Sequence, residues 1–481
     1  MPASARRIGS RDVPPPASNP TRDPTGRSRA WSSRSRSALR TRHVTQPVGR
    51  QFGTSDRPCV SPTRLAIHPI GCFILVSGLT PGVSERFRFD YRPGAILYGR
   101  GVVGELDEEL GRMDRTRALL VCGSTVGASD AVMDPVTTGL GETLAGVFDR
   151  TTPAKTLGTA VAGAERAADC DADVVVGLGG GSSLDTAKLI AVLAGHDAPA
   201  PAVAREMVAD GRVGLPESDL LPVVTIPTTL AGADLSAVAG VTLSLDHDGD
   251  AEAESVGLGD QRLMPVAAIY DPELFGTTPT PVLANSAMNG FDKGIEMLYG
   301  REHTAITDAT ARRGLRLLRR GLPTLDSATP SIEDVVRGIL LVQYGLSTGS
   351  TYRASLIHAF GHGFSRRYET PQGVVHAILA PHVLRYLFER VDARRNLIAE
   401  VLEIEAEGLS RTALGEAIVD EVVALRDALG LPATLRSIEG LERSHLPTVV
   451  GDILEDSFME NVPRGLDPSR EDVLGVLEEA W

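Results

Sequence analysis

Residues Val174–Lys188 constrain this chain more than any other stretch. Three valines lead into Gly177-Leu178-Gly179-Gly180-Gly181, and a helical pattern from Ser182 through Asp185 to Lys188 begins at once. A buried strand that turns through consecutive glycines into a helix points to a parallel α/β sheet with helices on both faces. Consecutive glycines let the backbone turn sharply and come close to a ligand. The helix start presents unpaired N–H groups and the positive end of its dipole. That combination is a phosphate site. Taken alone, the same turn is equally a tight connection with no ligand, so its neighbours have to decide.

The flanking chain repeats the strand–helix alternation. Phe87–Tyr91 and Ala95–Gly99 read as strands, Gly101–Met113 as a helix, and Ala118–Cys122 as a buried strand. A helix is predicted over Pro135–Phe148 with Asp134 as its cap, and another over Ala160–Asp171. Strands follow at Leu221–Ile226 and Val266–Tyr270. Beyond Thr277 the strand signals give way to helical periodicity. Helices are predicted at Leu283–Tyr299, Ala305–Arg319, Ile332–Ser347, Ser355–Phe364, Gln372–Phe388, Arg394–Glu403, Ala413–Leu429, Ile453–Met459 and Arg470–Glu479. The expected architecture is an α/β nucleotide-binding domain over 86–275 and a helical catalytic domain over 276–481. The cleft between them is the expected active site. Residues 1–85 differ in kind: the first fifty carry eleven arginines and two acids. They read as a disordered extension, and a translation start set too early, with the native protein beginning near Val83, would explain them.

Charge and cysteine usage exclude some classes. The net charge is −14, which argues against nucleic acid as a partner. No apolar run reaches the roughly 18–20 residues of a membrane helix. Cys59, Cys72, Cys122 and Cys170 have neither metal nor redox spacing, so a reduced, cytoplasmic protein is expected. Lysine occurs only at 155, 188 and 293, and arginine supplies every other fixed positive charge. An acidic, lysine-poor composition suits a high-salt cytoplasm or a GC-rich genome. Where arginine is the default cation, a lysine marks a place that wants a compact ammonium.

Four pieces lie in order along the chain. They are Gly179-Gly180-Gly181-Ser182 with Asp185 and Lys188; Pro227-Thr228-Thr229-Leu230-Ala231-Gly232-Ala233-Asp234; Ala287-Met288-Asn289 running to Glu296; and His358-Ala-Phe-Gly-His362, followed by Pro371-Gln372-Gly373 and Pro381-His382. Together they resemble the iron-containing (group III) alcohol dehydrogenase superfamily over residues 87 to about 390. The resemblance implies the dehydroquinate synthase-like architecture just described. It also implies hydride transfer between NAD or NADP and a small carbonyl or alcohol substrate, in a homo-oligomer. Gly179, Gly180, Gly181 and Ser182 would hold the pyrophosphate, Asp185 and Lys188 would border the nicotinamide side, and Thr228 and Thr229 would contact the cofactor. Met288-Asn289 and the Pro227–Asp234 motif look like the maleylacetate reductase branch.

The departures bear on the chemistry. Metal-dependent members place an Asp, a His four residues on, and two later His. Here those positions hold Asn289, Lys293, His358 and Gln372, so one ligand of the four remains. Iron or zinc would meet too few anionic or soft donors, and no catalytic metal is expected. Something cationic must then stabilise the developing alkoxide, and Lys293 is the candidate. His362 stands one helical turn from His358 and is expected to orient substrate or relay a proton. His358 would hydrogen-bond the substrate or donate the proton. Blander roles stay open. Lys293 could pair with Asp292 or Glu296 on an exposed face, His362 could be a satisfied core histidine, and His376 and His382 could be structural. Arg353, Arg366 and Arg367 could recognise a substrate carboxylate or simply be solvated. No acid ends the Ala118–Cys122 strand, where one would favour NAD through the ribose 2′-hydroxyl. Alternative readings are a conventional metal-dependent alcohol dehydrogenase, an NAD-using lyase or cyclase like dehydroquinate synthase, and a non-catalytic relic.

Overall fold

The computed structural model describes residues 94–247, 253–348 and 351–481. The predicted strand Phe87–Tyr91, the apolar run Pro69–Leu79 and the extension before it lie outside the described residues.

Six parallel strands form the sheet: β1 (Ala95–Tyr98), β2 (Ala118–Gly123), β3 (Leu144–Thr151), β4 (Val174–Gly179), β5 (Val223–Pro227) and β8 (Ala267–Tyr270). Their spatial order is β1-β8-β5-β4-β2-β3. The inner strands are valine- and leucine-rich and buried on both sides, as a sheet covered on both faces requires. Leu119, Val121 and Val175 pack with helices α3 (Leu157–Asp169) and α4 (Gly181–Ala194). Leu120, Val174 and Val176 face the other way, against α1 (Leu106–Arg112) and α2 (Asp130–Leu140). The chain leaves β2 toward β3, then returns past β2 to start β4. The connections from β2 to β3 and from β3 to β4 therefore run over opposite faces, and a crevice opens beyond the ends of β2 and β4. The glycine turn stands at that crevice.

Two parts of the α/β layer differ from the sequence expectation. The helix predicted over Pro135–Phe148 starts earlier, at Asp130, and stops at Leu140. Gly141, at φ +51°, ends it, and Leu144–Thr151 then runs as β3 at the sheet edge. The edge strand shows no alternation in sequence, because its five leading residues, Leu144–Phe148, are all apolar or small although only Gly146 and Phe148 among them are buried. Also unforeseen are α5 (Ala200–Asp210) and an antiparallel hairpin of β6 (Val238–Thr242) and β7 (Ser255–Gly259).

The helical domain is built around α6 (Thr280–Tyr299), which is buried on every side from Ala287 to Tyr299. Such a helix belongs at the centre of a bundle. Around it lie α7 (Ala305–Gly321), α8 (Ile332–Leu346), α9 (Leu356–Ser365) and α10 (Gln372–Arg390). Then come α11 (Arg411–Ala428), α12 (Leu446–Leu454) and α13 (Arg470–Glu479). The helix predicted over Ile453–Met459 is the end of α12 followed by a separate 3-10 turn, Ser457–Asn461. Asp456 breaks the two apart, because its side chain accepts the Phe458 N–H and starts a new cap.

Candidate active site

The side expected to hold a cofactor is made of backbone. Gly179 has φ +126°, a conformation side chains resist, so the turn needs glycine there. Gly180 sits at the N-cap of α4 without a side-chain cap, and the N–H groups of the first turn have no partner within the helix. Thr228 N–H donates to Gly179 O at 3.0 Å, which lays the Thr228-Thr229 segment against the turn. Across the crevice, Ser183 Oγ lies 2.7 Å from Thr151 Oγ1 at the end of β3.

All three lysines of the chain act around the one segment that follows β5. Lys188 is fully buried and donates to Ala233 O (2.8 Å), Ser236 O (2.7 Å) and Val238 O (2.9 Å). Burial pulls its ammonium down to about 8, against the pull of Asp185 and Asp234. Lys155 pairs with Asp185 at 3.1 Å, and Asp185 also accepts the Gly240 N–H at 3.1 Å. Lys293 reaches over from α6 and donates to Ala231 O at 2.5 Å. So Asp185 and Lys188 hold the Ala231–Gly240 segment. Asp234, within it, accepts from the Tyr270 hydroxyl.

The facing side is made of side chains on α6, α9 and α10. Asn289 Oδ1 accepts from His358 Nε2 at 3.0 Å, and Asn289 Nδ2 donates to Gln372 Oε1 at 3.1 Å. Three of the four positions singled out from the sequence are thus joined by hydrogen bonds, and the fourth, Lys293, lies one turn along α6. It is 4 % exposed, so it does not sit on an open helix face. Burial brings it to about 8, opposed by the charges of Asp234 and Glu296. Glu296, fully buried, accepts the His358 N–H at 2.9 Å and caps α9, whose own Ser355 supplies no side-chain cap. Burial lifts this carboxyl to about 7, against the N–H groups of His358, Ser355 and Ile357. His358 Nδ1 lies 2.5 Å from Glu296 Oε2 but out of hydrogen-bond alignment. Burial, then the charge of Lys293, holds His358 well below the usual imidazole range, so it is neutral.

His376 is fully buried, edge-on to His358 with ring centres 4.3 Å apart and 3.5 Å from Asp292. Burial, and after it Glu296, pushes the Asp292 carboxyl well up. His362 differs from these. Its side chain is 25 % exposed, and its Nδ1 lies 2.9 Å from Asp456 Oδ2. The three arginines considered for substrate binding have protein partners. Arg353 donates to Glu302 O and Leu346 O, Arg366 pairs with Asp456, and Arg367 pairs with Asp452. Asp456 had no signal in the sequence, since it meets His362 from 94 residues away.

Two family models match the sequence that builds these two sides. The model for "Iron-containing alcohol dehydrogenase" covers residues 93–272, and that for "Fe-containing alcohol dehydrogenase family, C-terminal" covers 283–481. The chain belongs to the iron-containing alcohol dehydrogenase family. By that membership it is an oxidoreductase of alcohols and aldehydes. It is 27 % identical to lactaldehyde reductase of Escherichia coli (strain K12), over 80 % of this chain and 97 % of that protein. It is 26 % identical to maleylacetate reductase of Burkholderia cepacia, over 82 % and 97 % of the two chains. In fold it is similar to a crystal structure of 1,3-propanediol oxidoreductase, with a TM-score of 0.73 at 23 % identity, covering 82 % of this chain and all of the other. Among the described residues no helix is long and apolar enough to cross a membrane.

Proposed function

We propose that the chain reduces small carbonyl compounds, and oxidises the corresponding alcohols, by hydride exchange with NAD(H) or NADP(H), without a catalytic metal. One observation carries the metal-free part. The four positions that hold metal in metal-dependent members offer here one neutral imidazole, two amides and one ammonium. Three of these side chains already satisfy one another through hydrogen bonds. A cation would have to displace those bonds and accept Lys293 as a neighbour, with no carboxylate among the four, so iron and zinc do not fit them.

In this reading the amides of Gly180, Gly181 and Ser182 hold the diphosphate, with Thr228 and Thr229 beside it. Bound nicotinamide supplies the hydride to the carbonyl carbon, or takes it from the alcohol. Lys293, anchored on Ala231 O where the two domains meet, places its positive charge by the substrate oxygen and gives it a proton during reduction. Its lowered affinity for that proton eases the transfer near neutral pH. His358 has one ring nitrogen on Asn289 and the other against Glu296, so it holds Asn289 in place. Proton relay falls to His362. Lactaldehyde and maleylacetate reductases stand at nearly equal identity, so similarity does not choose between an aldehyde and a keto acid.

The test is metal analysis of the purified protein, together with NAD(P)H consumption over a panel of aldehydes and keto acids, with and without chelator. Turnover that survives the chelator at substoichiometric metal supports the reading. Stoichiometric iron or zinc with chelator-sensitive turnover returns the chain to the metal-dependent enzymes. Product formation without net NAD(P)H consumption favours the lyase or cyclase reading.

A further inference from the structure

We infer that Asp456 is a positioning residue that fixes the proton on Nδ1 of His362, leaving Nε2 as the nitrogen that exchanges protons with the cleft. The inference rests on the carbonyl-reductase reading above.

The Asp456 side chain is fully buried, and three donors meet its two oxygens. Oδ2 takes His362 Nδ1 at 2.9 Å and Arg366 Nη2 at 2.6 Å, and Oδ1 takes the Phe458 N–H at 2.9 Å. A buried carboxyl with a guanidinium on it is a carboxylate, and a carboxylate only accepts hydrogen bonds. Burial pushes it up, but the His362 hydrogen bond and the His362 and Arg366 charges hold it below the usual carboxylate range. His362 Nδ1 must therefore carry the hydrogen. The 3.4 Å approach of Arg366 to that nitrogen is two donors sharing one acceptor. In neutral His362 the lone pair is then on Nε2, which has no hydrogen bond among the described residues.

The ring is also held by its face. Phe458, two residues after Asp456, lies against His362 with ring centres 4.9 Å apart. Edge and face are thus both set by one short turn, Asp456–Asn461. That turn is itself tied down by Asn461, whose amide donates to Arg353 O and Ala354 O. His358 offers the contrast: it is buried and both its nitrogens face protein groups. Of the two histidines on α9, only His362 combines partial exposure with an uncommitted nitrogen.

The test is a double-mutant cycle in kcat, using Asp456→Asn, His362→Gln and the double variant, with NAD(P)H saturating and a carbonyl that the unaltered enzyme reduces. Each single variant is expected to lower kcat by about 10- to 100-fold. The cofactor KM should stay within about twofold, and the double variant should be no slower than His362→Gln. Unchanged kcat in Asp456→Asn overturns the inference. So do effects that multiply in the double variant, which would mean a purely structural role for Asp456. Unchanged kcat in His362→Gln removes the relay role and the inference with it. Failure of the wider reading looks different, because the unaltered enzyme would then reduce no carbonyl. Where Asp456→Asn does not fold, the ¹⁵N-histidine spectrum of the unaltered protein decides. The signal lost in His362→Gln should show hydrogen on Nδ1 and a bare Nε2, and the opposite tautomer overturns the proposal.

Discussion

The glycine turn after β4 and the histidine face of α9 solve opposite problems. The turn presents main-chain amides, and its shape follows from one backbone angle at Gly179 and the helix that begins beside it. The histidine face presents side chains, and none of them is placed by its own helix alone. His358 is set by Asn289 and Glu296 from α6, and His362 by Asp456. A main-chain site is thus specified locally, whereas a side-chain site is specified by whatever packs against it. Substitution should break the first through cofactor affinity and the second through turnover.

The largest effect is expected at Lys293. Lys293→Met should lower kcat by roughly 100- to 1,000-fold, the size of losing a main charge stabiliser at a developing alkoxide, with the cofactor KM little changed. Steady-state kinetics with either substrate varied would show it, and an equal loss in the cofactor KM would blur the contrast between the two sites. Lys188→Met should act on the cofactor side instead. It strips three main-chain carbonyls of a buried charged donor and should cost on the order of 3 kcal/mol of folding stability, read by denaturant titration. Unchanged stability would mean that the Ala231–Gly240 segment does not need its clamp. Gly179→Ala forces a side chain into a positive-φ position at a cost of about 1–3 kcal/mol. Its signature should be a cofactor KM raised about 5- to 100-fold with kcat largely kept. The mildest test is pH. Lys293, brought to about 8, is an ammonium below that value and an amine above it. Reduction should therefore fall as pH rises through about 8, while alcohol oxidation, which needs the amine as base, should rise. A reduction rate flat between pH 7 and 9 would remove Lys293 as the acid.

The same contrast explains what could be read from the residues. The parallel sheet, the helical second domain and the glycine turn were legible because each is written in local periodicity and glycine placement. The edge strand β3 was not, since its leading residues Leu144–Phe148 are uniformly apolar or small and show no alternation. Asn289, Lys293, His358 and Gln372 stand out in the sequence as a set, and Asn289, His358 and Gln372 hydrogen-bond one another. Lys188 was not legible as a carbonyl clamp, because its three acceptors are main-chain oxygens that carry no sequence signal. Asp456 was invisible for a related reason: a carboxylate 94 residues from its histidine looks like any other acid in an acidic chain.

The convergence of the lysines has a practical consequence. An amine-reactive label has only three side chains to attack in the whole chain, and all three bear on one segment. Lys155, about a third exposed, should react first, and Lys188 and Lys293 only when that segment lifts. Acylation kinetics would therefore follow the opening of the active site with no engineered probe. In most proteins dozens of surface lysines would drown that signal.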